Sequence, residues 1–366
     1  MESIFGSPAT YVQGIGVLFD SAKYIQRLGS KAVLLADSVV YGIVGNDYLA
    51  YLKQNDIDVK QVTFNGEASD NEIKRVDAIG KEFDTDMIIA LGGGKTLDSA
   101  KAIADDLHVH VAVLPTLAST DAPCSRLSVL YTDDGAFEKY RFYDKNPDLV
   151  LIDTKVVAGA PVRLLASGIA DALATNVEAK AVAKGDKQTM LNGHQTLVGN
   201  AIGSKCEETL FKYGMAAIAS VKDHAVTKAL DHIVEANTLM SGLGFESGGL
   251  AAAHAIHDGL TALDGPIHSL THGEKVAFGT LTQLFLEGAD QERFEKFLKF
   301  ELAIGMPTTF KDLKIEGISD DDLLKVGKQA TAPADTMGRM PFEVTPYDVA
   351  QAMKGVDAYS RHFQEK

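Results

Sequence analysis

MIIALGGGKTLDSAKAIA, residues 87–104, decides the fold class. Residues 87–91 are a short, wholly apolar run of strand length. Gly92, Gly93 and Gly94 follow, then Lys95, Thr96 and a helix-like run over residues 97–104. A strand that empties through glycines into a helix can cradle phosphate. Backbone N–H groups point at the anion, the helix N-terminus adds a favourable dipole, and glycine lets the backbone come close. The tripeptide Gly94-Lys95-Thr96 matches the end of a nucleotide-triphosphate P-loop. That loop requires a glycine five residues before its last one, and Ile89 stands there. The loop therefore reads as a phosphate cradle of another kind, weighed against a tight turn with no ligand.

Working outward, residues 31–36 (KAVLLA), 59–64 (VKQVTF), 110–114 (HVAVL) and 149–152 (LVLI) read as further strands. Helix-like segments such as residues 71–83 lie between them. That alternation predicts a parallel sheet with helices on both faces, which binds ligands at the carboxyl ends of its strands. Asp37 ends the 31–36 strand, 21 residues after a weak Gly14-Ile15-Gly16 glycine signal. An acid there can accept hydrogen bonds from an adenosine ribose and would repel a 2′-phosphate, favouring NAD over NADP. A plain helix cap explains Asp37 as well. Residues 115–125 (PTLASTDAPCS), also at a strand's carboxyl end, offer Thr116, Ser119 and Ser125 as donors and Asp121 as the loop's one acid.

Beyond about residue 160 the strand-like runs stop. Helical patterns take over at residues 173–183, 207–219, 227–241, 291–303 and 347–363. The expected organisation is an α/β Rossmann-like domain over residues 1–160, a hinge at 158–162 (AGAPV), and an all-helical domain over residues 161–366.

Charge excludes some partners. With 35 basic and 50 acidic residues the net charge is −15, so neither nucleic acid nor an anionic membrane finds the basic surface it needs. The two cysteines, Cys124 and Cys206, indicate no disulfide framework. The first residues carry no basic stretch followed by an apolar run, and no segment has eighteen continuous apolar residues. A cytoplasmic protein is the expectation.

The helical half holds a histidine cluster. Residues 244–280 contain His254, His257, His268 and His272. His254 falls on a helix-like run that Asp264-Gly265-Pro266 breaks. His272 falls in the following loop, just before a helix that starts near Glu274. Two histidines from neighbouring elements can converge on a metal. Ordinary surface or packed histidines are the preferred reading of the histidines alone, until other ligands appear.

Taken together, these pieces resemble the iron-containing (group III) alcohol dehydrogenase superfamily. The resemblance rests on GGGKTLDSAK at residues 92–101, LPTLASTDAPCS at 114–125, SGIADALAT at 167–175, GLAAAHAIHDGL at 249–260 and THGEKVAFG at 271–279. The wording of these motifs is nearest to the superfamily's zinc-dependent, glycerol-oxidising branch. The resemblance implies a dehydroquinate synthase-like architecture. It also implies zinc, one ion per subunit, on Asp171, His254 and His272. One carboxylate and two imidazoles with an open position suit catalytic zinc. Iron-dependent relatives carry a histidine four residues after this aspartate, where Thr175 stands here. A ligand is thus missing that iron would use, which favours zinc and leaves room for two adjacent substrate oxygens.

The same resemblance implies NAD contacts at Asp37 (adenosine ribose), Gly94 and Lys95 (pyrophosphate), and Thr116 and Ser119 (adenosine side). Ser125, Leu127 and Tyr131 fall on the nicotinamide side, and Asp121 beside the substrate. His268 is read as a bystander. His257 is open to a place behind the ligands or, the preferred reading, to an ordinary packed or exposed role. Residues 167–178 and 248–273 contain no Lys or Arg. The expected substrate is therefore a small neutral polyol, glycerol first or another vicinal diol such as 1,2-propanediol. A sugar-phosphate cyclase or glycerol-1-phosphate dehydrogenase would want cations there. A non-catalytic nucleotide-binding protein would show a degenerate glycine loop. The resemblance also implies a homo-oligomer.

Overall fold

The computed structural model describes residues 2–365 and divides into two compact units. One comprises Gly6–Ala160 with Ser220–Gly242. The other comprises Met1–Phe5, Pro161–Ala219 and Leu243–Lys366.

The first unit is built on a six-stranded parallel sheet. In chain order its strands are β1 (Tyr11–Gly14), β2 (Lys31–Ala36), β3 (Asp58–Thr63), β4 (Met87–Gly92), β5 (His110–Pro115) and, after a hairpin of β6 (Leu127–Tyr131) and β7 (Phe137–Phe142), β8 (Leu149–Asp153). The spatial order is β1-β8-β5-β4-β2-β3. Burial follows sequence. Every residue of MIIALG in β4 is buried, as a strand with helices on both faces requires. DVKQVT in β3 buries only Val59 and Val62, as fits the sheet edge. Helix α1 (Asp70–Phe83) starts where the Ser69 side chain accepts the Glu72 N–H, and α2 (Gly94–Leu107) follows β4 directly.

The α/β reading and all five expected strands are present. The edge strand β1 and the antiparallel hairpin β6–β7 are additional to those five; the hairpin's turn closes by the Thr132 N–H donating to the Ala136 carbonyl at 2.9 Å. Gly14 and Gly16 do not form a dinucleotide loop. They close β1 at the sheet edge, with the Gly16 and Leu18 amides donating to the Asp153 carboxylate at 3.0 and 3.2 Å. Gly16 sits at a φ of 74°, where glycine is favoured.

In the second unit no strand occurs among the described residues. Its principal helices near the histidine cluster are α3 (Val162–Lys184), α4 (Ala252–Thr261) and α5 (His272–Leu286). The α3 interior is buried all round, from Leu165 to Ala179. Among the described residues no helix is long and apolar enough to cross a membrane.

Candidate metal centre

Asp171 sits in the middle of α3, fully buried. Glu178 lies two turns further on the same face and is also fully buried. Its carboxylate organises the start of α4. Oε1 accepts the backbone N–H of Ala251 at 2.8 Å and of His254 at 3.0 Å, and Oε2 lies 2.6 Å from His254 Nδ1. Gln283 from α5 takes the two amides between, with Oε1 accepting from Ala252 at 3.0 Å and Ala253 at 2.9 Å. These four N–H groups open a helix and have no partner within it. Two buried side chains satisfy all four and fix the His254 ring at the same time.

His272 is placed by close backbone approach. It is the first residue of α5, not a loop residue as the sequence suggested. Thr271 caps the helix and Glu274 completes a capping box, its Oε2 accepting the Thr271 N–H at 2.7 Å. Arg163 grips Glu274 with two hydrogen bonds of 2.7 and 2.6 Å. A Cβ on Gly273 would lie 1.9 Å from the Ser167 carbonyl oxygen. Only glycine lets α5 meet α3 there, one turn from Asp171.

The result is a three-donor cluster. Asp171 Oδ1 lies 3.3 Å from His254 Nε2 and 3.1 Å from His272 Nε2, and the donor atoms all fall within 4.8 Å of one another. Ligands bound tetrahedrally at ~2.0–2.1 Å stand about 3.3 Å apart, so the donor set fits a zinc-sized ion. Burial alone would raise the Asp171 carboxyl, but the imidazoles of His272 and His254 hold it well below the usual carboxylate range. Burial would likewise push His254 down, but the Glu178 and Asp171 carboxylates outweigh it and keep its pKa well above the ordinary imidazole value. Competition between that proton and a metal is what a cation site of this charge presents.

Thr175, where a fourth ligand could stand, is fully buried, and its Cγ2 packs where a Cβ on Gly244 would be, 2.5 Å away. His268 is a bystander, with Nε2 2.6 Å from the Leu263 carbonyl oxygen. His257 is not an ordinary packed residue. It is buried, with Nε2 3.0 Å from His272 Nδ1 and Nδ1 2.9 Å from Asp258 Oδ1. Burial and the neighbouring His272 push its pKa down to about 3, so it is neutral. A cation also lies closer than the flanking segments suggested: buried Lys275 bears electrostatically on His257.

Glu178 went unread in the sequence. Its signal was a second carboxylate on the same helix, seven residues after Asp171 and so on the same face.

The expected cofactor residues lie in the first unit, around the carboxyl ends of β2, β4 and β5. Gly93 holds the N-cap position of α2, and no side chain caps the helix. Lys95 Nζ sits 2.6 Å from both oxygens of Glu67 and 5.0 Å from the centre of the Tyr131 ring. Asp37 caps a short helix, accepting the Val40 N–H at 2.9 Å. Thr116 extends β5, its amide donating to the Gly92 carbonyl at 3.1 Å. The buried Ser125 hydroxyl donates to the Ala122 carbonyl, and Leu127 opens β6.

The loop carrying Ser119 and Asp121 is gripped by a segment more than a hundred residues further along the chain. The Asn237 amide donates to the Ala118 carbonyl at 2.9 Å, and the Ser241 hydroxyl donates to Asp121 Oδ2 at 2.8 Å. Asn237 lies in a single π-helical turn, Ala236–Met240, a feature frequent at functional sites.

A parallel sheet with a glycine loop, joined in one chain to an Asp-His-His cluster on helices, defines a metal-dependent dehydrogenase. The chain belongs to the iron-containing alcohol dehydrogenase family, whose model matches residues 8–154. It is 44% identical to a glycolaldehyde reductase of Halobacterium salinarum, over the whole of both chains. It is also 44% identical to a glycerol dehydrogenase of Thermotoga maritima, covering 97% of this chain and 96% of that one. The crystal structure of a glycerol dehydrogenase from Schizosaccharomyces pombe superposes with a TM-score of 0.96 at 44% identity, covering 100% of this chain and 92% of that one.

Proposed function

We propose that the chain is an NAD-dependent glycerol dehydrogenase that converts glycerol and NAD to dihydroxyacetone, NADH and a proton. The observation that carries this reading is the cluster of buried Asp171 and His254 with half-buried His272 in a chain alike along its whole length to glycerol dehydrogenases. Residues 161–366 hold zinc through these three side chains, and residues 1–160 hold NAD. Zinc supplies Lewis acidity that lowers the pKa of a substrate hydroxyl near neutral pH. NAD supplies the hydride acceptor.

The chain's own residues bind and orient. Asp171 brings the one negative charge to the cluster. Glu178 holds His254 with Nε2 turned toward Asp171. Asp121, held by Ser241, accepts a hydrogen bond from a substrate hydroxyl. Gly94 and Lys95 meet the NAD pyrophosphate, Lys95 exchanging Glu67 for phosphate. Asp37 accepts from the adenosine ribose, and Thr116 and Ser119 bound the adenosine side. Ser125, Leu127 and Tyr131 bound the nicotinamide. Two buried cysteines, Cys124 and Cys206, form no disulfide among the described residues, which suits a reducing cytoplasm. The exposed Leu197, 90% accessible, together with Val198, suits a homo-oligomer.

A second reading is reduction of glycolaldehyde, favoured by the full-length likeness to a reductase of that aldehyde. Initial rates with glycerol, 1,2-propanediol, ethylene glycol and glycerol-1-phosphate, each with NAD and NADP, and with dihydroxyacetone and glycolaldehyde with NADH, decide among these. The proposal expects the highest kcat/KM of the oxidations for glycerol with NAD. Preference for the phosphorylated substrate, or for NADP, overturns it. A glycolaldehyde kcat/KM far above that for dihydroxyacetone selects the second reading.

A further inference from the structure

Behind His272 runs a chain of hydrogen bonds to which the reaction above gives no part. His272 Nδ1 is 3.0 Å from His257 Nε2, and His257 Nδ1 is 2.9 Å from Asp258 Oδ1. His257 and Asp258 are both buried. Each of these bonds takes one proton, and an ionised carboxylate can only accept. A proton between His257 and Asp258 therefore sits on His257 Nδ1. His257 Nε2 faces His272 Nδ1, and a neutral His272 whose Nε2 lone pair binds a metal carries its proton on Nδ1, so this Nδ1–H donates to His257 Nε2. A His272 protonated on Nδ1 keeps its Nε2 lone pair, and Nε2 is the atom 3.1 Å from Asp171 Oδ1 in the donor cluster.

We propose that Asp258 and His257 are positioning residues for the metal centre: the Asp258 carboxylate, acting through the His257 ring, holds His272 in the tautomer and orientation that leave Nε2 free to bind a metal. This rests on the reading of His272 as a ligand. The two ligand histidines are thus supported differently. His254 leans directly on a carboxylate, Glu178, whereas His272 leans on one through an intervening imidazole. The inner end of the chain is a nitrogen whose lone pair is committed to the metal, so the chain cannot take a proton from substrate. Its work is to orient His272 and raise its basicity, which outer partners of metal-bound histidines do to the extent of 10–100-fold in affinity.

Zinc affinity of the purified enzyme, measured by competition with a chelator, tests this. Wild type is compared with Asp258→Asn, His257→Asn, His257→Gln and His272→Ala, and the melting temperature of each zinc-free protein is recorded. The amide of Asn matches the place of Nδ1 of histidine, and that of Gln the place of Nε2. His257→Asn therefore breaks the link to His272, while His257→Gln restores an acceptor for it. The expected result is zinc binding weaker by about 10–100-fold in Asp258→Asn and His257→Asn, and near wild type in His257→Gln. The zinc-free proteins should melt within a few degrees of one another, since a merely structural role would move melting and not discriminate Asn from Gln. Nitrogen-15 spectra of zinc-loaded wild type should show His257 protonated on Nδ1 alone. Wild-type zinc affinity in Asp258→Asn and His257→Asn, with zinc lost from His272→Ala, overturns the positioning role and leaves the ligand set standing. His257 protonated on Nε2 overturns it too. Zinc retained at wild-type affinity by His272→Ala overturns the ligand set and the positioning role together.

Discussion

Glu178 Oε2 lies 2.6 Å from His254 Nδ1, while Oε1 of the same carboxylate accepts the His254 backbone N–H at 3.0 Å. One buried side chain thus sets both the place of the residue and the direction of its ring. Glu178→Gln turns this against the metal. The two backbone N–H groups keep the amide oxygen at the Oε1 position, so the amide nitrogen faces Nδ1. His254 must then accept there and carry its proton on Nε2, the nitrogen aimed at Asp171. Metal content after dialysis should fall at least tenfold, with far-UV circular dichroism unchanged. Full zinc occupancy in this variant contradicts the account.

Gly273→Ala tests how α5 is seated. Alanine normally favours a helix by ~1 kcal/mol over glycine. Here the new methyl would stand 1.9 Å from a backbone oxygen of Ser167, which cannot rotate away. The clash should win, costing about 1–3 kcal/mol in urea unfolding and weakening zinc binding because His272 is the adjacent residue. A neutral or stabilised variant would show that α5 does not press on α3 at this point.

Ser241→Ala should act on substrate rather than on metal. It removes the hydroxyl that donates to Asp121 Oδ2 at 2.8 Å. A hydrogen bond to a charged group contributes ~1.5–3 kcal/mol, so kcat/KM for glycerol should drop by about tenfold or more while zinc content stays the same. Steady-state kinetics beside metal analysis separate the two. Unchanged kcat/KM removes Asp121 from the substrate's partners.

Glu301 carries a pH dependence far from the histidines. It is fully buried in the helix Gln291–Ala303, and neither carboxylate oxygen has a hydrogen-bond partner among the described residues. Burial raises its pKa well above the ordinary glutamate value. The folded protein therefore keeps a proton that the unfolded chain releases above pH ~4.3. Stability is lost as pH climbs from there through the raised value. Glu301→Leu removes the loss and should be more stable than wild type by about 1–4 kcal/mol at pH 8. The margin should shrink at pH 5. Urea unfolding at both pH values checks this, and an equal margin at both contradicts it.

How much of this was legible in sequence depended on the range of the interaction. MIIALG announced a strand buried on both faces because periodicity and burial are local properties. Asp171, His254 and His272 were legible because motif wording fixed them together, although no spacing rule brings them within 4.8 Å. His272 reads as a loop residue because its helix begins at the capping box of Thr271 with Glu274, whereas the first large apolar residue of the pattern is Val276, five positions after Thr271. The support of the site was not legible. Glu178 meets His254, and His257 meets His272, across contacts between elements, although a place for His257 behind the ligands was one of two open readings; the grip of Ser241 on Asp121 joins residues 120 positions apart. The hairpin β6–β7 was passed over because its strands, LSVLY and FEKYRF, alternate only weakly in burial.

The proposed role of Asp171, His254 and His272 is to hold a zinc ion needed for NAD-linked glycerol oxidation. It is tested most directly by stripping the purified enzyme with a chelator, confirming metal loss by elemental analysis, and following NADH formation from glycerol before and after adding back zinc. The account predicts negligible turnover in the stripped enzyme, recovery with one zinc per subunit, and no recovery in His254→Ala or His272→Ala. Undiminished turnover in fully metal-free protein would contradict it.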